Sequence, residues 1–170
     1  MPYYRQAFLN SFFVSAFVIL FTWQATSQTQ YINFRHYSLA DGLSAYKATK
    51  VLQDRFGFMW IATQDGLNRF DGKDIIIYNK SARGKHLLLG SDITDMVEDT
   101  SRNMLWVITS YGGLNGIDLK TGTVKTAVAD SSNRFSDHWL RTLVQIGDEL
   151  WIGTYNNITL WRASSGSRST

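Results

Sequence analysis

Residues 51–71 read VLQDRFGFMWIATQDGLNRFD, and this stretch decides the fold because it returns. It divides into short apolar runs joined by tight turns, the first holding Asp54 and Gly57 and the second Asp65-Gly66. Residues 96–118 read MVEDTSRNMLWVITSYGGLNGID, and residues 143–161 read LVQIGDELWIGTYNNITLW. With Val51-Leu52-Gln53 set against Met96-Val97-Glu98 and Leu143-Val144-Gln145, tryptophans fall at Trp60, Trp106 and Trp151, spaced 46 and 45 residues apart. Each is followed three residues later by a threonine, Thr63, Thr109 or Thr154. A turn follows, then Gly66-Leu67, Gly113-Leu114 or Asn157-Ile158, and then Phe70, Ile117 or Trp161. Asp71 and Asp118 close the first two copies, and Arg162 stands there in the third.

A fixed period near 45 residues marks a repeat architecture. The first copy holds four short apolar runs, 48–53, 58–63, 66–70 and 74–78. The separators between runs carry Asp-Gly, Gly-Gly, Lys-Thr-Gly-Thr or Asn-Asn, which is hairpin-turn chemistry. No run is as long as a typical helix, so helical repeats are disfavoured. Four antiparallel strands per repeat describe a propeller blade. The expected class is therefore all-β, a partial β-propeller of about three four-stranded blades. The expected divisions are a lead-in strand within 28–42, blade 1 at 43–80, blade 2 at 89–128, an incomplete blade 3 at 136–162 and a polar tail at 163–170. The lead-in run, residues 31–37, reads as the outer strand of a closing blade. Rings need about four to eight blades, so the chain reads as the start of a longer protein or a truncated product.

Runs such as Ile75-Ile76-Ile77 and Leu150-Trp151-Ile152 are apolar on both faces. Blades are packed between neighbours, which buries both faces. The three repeat tryptophans are accordingly expected to be inter-blade core. The threonines are expected to pack or bond within their strands. Asp54 and Asp99 are expected to satisfy turn N–H groups, and Ile146 at that place in the third copy fits a replaceable turn device better than a catalytic acid.

Composition agrees with a packed domain, with 44% hydrophobic and 14% aromatic residues. There is no cysteine, which excludes a disulfide framework, a thiolate nucleophile and Cys-bound zinc. Net charge is +3 with the cations scattered, unlike the concentrated basic stripe of a nucleic-acid binder. Residues 1–27 read as an export signal: Arg5, an apolar stretch from Phe12 to Trp23, then Ala25-Thr26-Ser27. That stretch is about 12 residues, short of the roughly 20 that span a bilayer. The rest of the chain is then expected to be exported.

The series Asp54, Gly57, Trp60, Ile61, Thr63, Gly66, Leu67, Asn68, Arg69, Phe70, Asp71 resembles the two-component regulator propeller repeat. The segment YSLADGLS is similar to the way such sensors begin. The second copy departs at Asn103-Met104, where glycine is expected. The resemblance implies the periplasmic sensor of a Bacteroidetes-type hybrid two-component histidine kinase, anchored in the inner membrane, sensing oligosaccharides and acting as a dimer. For this chain it implies the opening blades, joined to the remaining blades of a parent protein, without a signalling output of its own.

The residues make a thin case for an enzyme or a cofactor. No nucleophile-elbow motif is present. His36, His86 and His138 lack partners at metal-ligand spacing, and His86 reads as a solvated loop residue. Asp92 and Asp95 align with Lys47 and Lys50 and read as polar loop residues rather than a catalytic pair. Two alternatives remain: a secreted propeller scaffold or protein-binding module, and a propeller polysaccharide lyase or hydrolase. Ligand contact is expected on loops at one end, with 79–92 and 128–139 as candidates and Tyr111, Arg83 and Trp139 as possible sugar contacts.

Overall fold

The computed structural model describes residues 32–128 and 139–162. The chain divides into two compact units, Met1–Arg35 and His36–Thr170. Of the first unit only residues 32–35 are described, and they hold no regular element. The export signal, the 163–170 tail and His138 lie outside the described residues.

The second unit is built from antiparallel sheets in strict chain order. The first holds β1 (Ala48–Gln53), β2 (Met59–Thr63), β3 (Gly66–Phe70) and β4 (Ile75–Tyr78). The second holds β5 (Ile93–Asp99), β6 (Met104–Thr109), β7 (Gly113–Asp118) and β8 (Thr123–Val128). The third has β9 (Leu140–Ile146), β10 (Glu149–Thr154) and β11 (Ile158–Arg162). This is the expected all-β, propeller-like stack, and the four apolar runs of the first copy are its four strands. Residues 32–37, the described part of the lead-in run, hold no regular element.

Each sheet uses alternate residues to grip the sheets before and after it. Trp60, Ala62, Leu67 and Tyr78 of the first sheet meet Met96, Leu105, Val107 and Ile117 of the second. The opposite face of the second sheet presents Met104, Trp106, Ile108 and Leu114 to Leu140, Leu143, Leu150 and Ile152 of the third. Every residue of β6 is therefore buried. Full burial of each large apolar side chain contributes roughly 1.5–3 kcal/mol, which makes these two seams the main source of stability.

The tryptophan expectation holds for two copies. Trp60 is fully buried and Trp106 nearly so, but Trp151 is 40% exposed. Each tryptophan points toward the following sheet, and no described sheet follows the third.

The turn carboxylates do more than expected. Asp54 Oδ1 accepts from the backbone N–H groups of Phe56 and Phe58, at 2.9 and 3.0 Å. Its Oδ2 accepts from the Trp60 indole at 2.7 Å. Asp99 repeats this, taking the Arg102 N–H at 3.0 Å and the Trp106 indole at 3.2 Å. The departure at Asn103 has a backbone reason. Gly57 sits at φ +89°, Asn103 takes the equivalent place at φ +58°, and asparagine tolerates that left-handed region better than most residues.

Candidate functional site: the loop end of the sheets

The hairpins β2–β3, β6–β7 and β10–β11 lie at the same end as the β4–β5 connection. Their shape comes from the repeat threonines, which bond across the turn rather than within their strands. Thr63 Oγ1 donates to the Gly66 carbonyl at 2.8 Å and accepts from the Asp65 N–H at 3.2 Å. Thr109 Oγ1 accepts from the Gly112 N–H at 3.0 Å. Thr154 Oγ1 donates to the Asn157 carbonyl and accepts its N–H, both at 2.9 Å. These clamps fix the turns that carry Tyr111 and Tyr155.

The connection before each of the first two sheets is pinned in the same way. The Ser44 N–H donates to Asn68 Oδ1 at 2.8 Å, and the Leu89 N–H donates to Asn115 Oδ1 at 3.0 Å. Gly112 then lets the 79–92 connection approach the β6–β7 turn. A Cβ there would lie 2.6 Å from both Gly90 N and Leu89 C.

Two adjoining cavities open between the first and second sheets at this end, both lined by Gln64 and Asp92. One, of about 320 Å³, is also lined by Asp65, Lys80, Ser91 and Tyr111. The other, of about 340 Å³, is lined by Lys47, Thr49, Thr94, Ser110 and Arg141. Beside them runs a chain of aromatic rings. Tyr111 meets Trp139 edge-on at 5.8 Å, and Trp139 meets Tyr155 at 6.0 Å. All three are well exposed, Tyr111 by 66%, Trp139 by 45% and Tyr155 by 71%.

Of the three candidate sugar contacts, Tyr111 and Trp139 are thus brought together. Arg83 is not; it is exposed before the short 3-10 turn Gly84–His86 and lines neither cavity. Most of the 128–139 loop lies outside the described residues. Tyr155 is the member that sequence reasoning missed. Its place after a repeat threonine, at the same end as Tyr111, was the available signal.

Asp95 is not a loop residue. It is buried within β5 and joins the innermost strands of all three sheets. It takes the Lys50 ammonium at 2.5 Å, the Leu143 N–H at 2.8 Å and the Thr142 hydroxyl at 3.2 Å. Asp92 accepts from the Ser110 hydroxyl at 2.6 Å, so the two carboxylates have separate partners and do not act as a pair. His86 is likewise not simply solvated. Its ring meets Tyr78 edge-on at 4.7 Å, and burial, with Lys85 and Arg69 nearby, lowers its pKa. The Tyr78 hydroxyl donates to the Gly122 carbonyl at 2.9 Å, and burial raises its pKa.

The other aspartates of the repeat cap turns. Asp71 Oδ1 accepts the N–H groups of Lys73 and Asp74, which hold its pKa below the usual value. Asp118 Oδ1 accepts from Lys120 and Thr121, and the Lys125 ammonium on Oδ2 leads the effects that bring its pKa down to about 2. Trp161 packs edge-on to Trp106 at 4.9 Å. Among the described residues no group of three His, Asp or Glu converges as a metal site. No helix among them is long and apolar enough to cross a membrane.

No family model matches the chain. A 67-residue stretch is 39% identical to histidine kinase P4 of Formosa agariphila, covering 38% of this chain and 5% of that protein. Among solved structures, the extracellular domain of the hybrid two-component system BT3049 of B. thetaiotaomicron aligns with a TM-score of 0.66 at 26% identity, over 78% of this chain and 19% of that one. The extracellular domain of BT4673 from the same organism aligns at TM-scores of 0.58 and 0.57, at 22% and 21% identity, over 69% of this chain and 17% of that one. The chain thus spans about a fifth or less of these relatives. In fold, this chain resembles the extracellular sensor region of Bacteroides hybrid two-component systems.

Proposed function

We propose that this chain supplies the opening blades of an extracytoplasmic sensor propeller, and that the loop end of its sheets takes an oligosaccharide for two-component signalling. The observation that carries the reading is the exposed Tyr111–Trp139–Tyr155 row beside two polar cavities. Aromatic faces accept the C–H faces of sugar rings, while Gln64, Asp65, Asp92 and the Lys80 ammonium match hydroxyls. The extracellular domains it resembles favour a place outside the cytoplasm, here the periplasm. The parent protein supplies the remaining blades, the inner-membrane anchor and the kinase output. This chain contributes recognition and no catalysis.

The test is calorimetry on the complete propeller against a broad panel of oligosaccharides. A binding glycan should lose at least tenfold in affinity, about 1.4 kcal/mol, when Trp139 and Tyr155 are both changed to Ala. Silence across the panel, or binding indifferent to that double change, would defeat the reading, and turnover of a glycan would replace it with an enzyme.

A further inference from the structure

Each innermost strand carries a bulge at the same place. In β1 the residues opposite Thr63 and Ala62 are Ala48 and Lys50, so Thr49 between them has no residue opposite it. Thr94 stands in the same way between Ile93 and Asp95 of β5, and Arg141 between Leu140 and Thr142 of β9. A bulge breaks the alternation of a strand and re-aims the side chain of the added residue. All three added residues line one cavity, that of about 340 Å³ at the loop end. The repeat itself thus builds this cavity, with one bulge from each sheet.

In the first two copies the added residue closes the bulge that it makes. Thr49 Oγ1 lies 3.3 Å from the Ala62 carbonyl oxygen and 2.9 Å from that of Ile93, and Thr94 Oγ1 lies 3.3 Å from that of Ile108. The third copy puts an arginine there. The Arg141 side chain is exposed, with no hydrogen bond or ion pair among the described residues. Lys47, which lines the same cavity from just ahead of β1, is also exposed and unpaired among them. The cavity's carboxylate is Asp92, whose Oδ2 accepts from the Ser110 hydroxyl. Two cations against one carboxylate leave this lining net positive. The adjoining cavity, with Asp65, Asp92 and Lys80, is net negative.

We infer that Arg141 and Lys47 form an anion subsite, and that the glycan taken at the loop end is an acidic one, bearing a uronic carboxylate or a sulfate ester. The planar guanidinium meets either group with two parallel N–H···O bonds, and the lysine adds a flexible point charge. Trp139 stands two residues before Arg141, about 7 Å of extended chain, so the aromatic row and the anion subsite adjoin. The inference rests on the oligosaccharide reading and adds to it the charge of the ligand.

The test is calorimetry on the complete propeller with uronic-acid oligosaccharides and with sulfated oligosaccharides. Each is measured beside its own uncharged form, methyl-esterified in the first series and desulfated in the second. The acidic form should bind at least tenfold more tightly than its uncharged form, and the series that binds identifies the anion. Arg141→Thr restores the residue that closes the bulge in the other copies; combined with Lys47→Gln, it should erase that preference. Arg141→Lys, which keeps the charge and loses the fork, should retain part of it. Circular dichroism checks that each variant keeps its sheets. Equal binding of both forms by the wild type, or a preference that survives the double change, would overturn the inference and leave the oligosaccharide reading standing. Silence of every form would overturn both.

Discussion

The pairing of a turn carboxylate with the tryptophan of the next strand invites a direct test at Asp99. Its side chain is fully buried and accepts from the Ser101 hydroxyl at 2.6 Å, the Arg102 guanidinium at 2.8 Å, the Arg102 N–H and the Trp106 indole. Burial alone would raise its pKa, but these donors outweigh it and hold the carboxyl well below the usual carboxylate range. Asp99→Ala leaves the Trp106 N–H and the Arg102 N–H without their acceptor, while the Arg102 guanidinium keeps Asp148 at 3.1 Å. A stranded buried donor costs about 1–3 kcal/mol, so a total loss of about 3 kcal/mol is expected. Trp106→Phe removes the indole N–H and keeps most of the ring. In that background Asp99→Ala should cost about 2 kcal/mol less, because hydrogen bonds to charged groups contribute about 1.5–3 kcal/mol. The measurement is a double-mutant cycle by urea unfolding, followed by far-UV circular dichroism at one fixed protein concentration. A coupling energy under about 0.3 kcal/mol would refute the carboxylate–indole pairing, since that is the scatter expected of independent sites.

The same carboxylate sets a pH dependence. Its pKa is depressed on folding, so its contribution is present above the unfolded value of about 3.9 and is lost as pH falls below it; the stability gap between wild type and Asp99→Asn should narrow between pH 6 and pH 3 in the same unfolding assay. Asp95→Ala removes the one acceptor shared by Lys50, Thr142 and the Leu143 N–H, and should lower stability by about 3 kcal/mol, with Asp95→Asn costing less because it can still accept from Leu143. Gly116→Ala places a Cβ 2.6 Å from a Trp106 ring carbon and 2.8 Å from Met104 Cε; overpacking of about 1–3 kcal/mol is expected, and Met104→Val should recover part of it in thermal unfolding.

What was legible in the sequence was whatever repeats. Strands β1–β4 match the apolar runs to within a residue at each end, because short runs between glycine and aspartate turns leave the chain little choice. Trp60 and Trp106 in the seams were legible for the same reason. Trp151 was not, because its burial depends on a following sheet and not on its own copy. The indole bonds of Asp54 and Asp99 were hidden because turn capping already accounted for both carboxylates. His86 was hidden because its partner Tyr78 lies on a strand, across a loop of ordinary polar composition. In the ligand end, Tyr111 and Trp139 were within reach of sequence reasoning as exposed loop aromatics. Their convergence with Tyr155 needed the fold, which sets the hairpins of the second and third sheets side by side.

The position that sequence reasoning placed worst was Asp95, and the reason is general to stacked repeats. Lys50, Asp95 and Thr142 are equivalent residues of successive copies, and they bond to one another in that order. A lateral chain of this kind cannot be built from one charged residue type. Three lysines would repel and three aspartates would do the same, whereas an ammonium, a carboxylate and a hydroxyl alternate as donor, acceptor and donor. Apolar seams reward repetition, because any large side chain fits the same gap. Polar links between neighbours reward difference. Alignment of copies therefore highlights the seams and makes the links look like drift. In this chain Lys50, Asp95 and Thr142 share nothing as residue types, yet they tie all three innermost strands together. Where equivalent positions of a stacked repeat are polar, unlike and complementary, the unlikeness itself points to a bond across the seam.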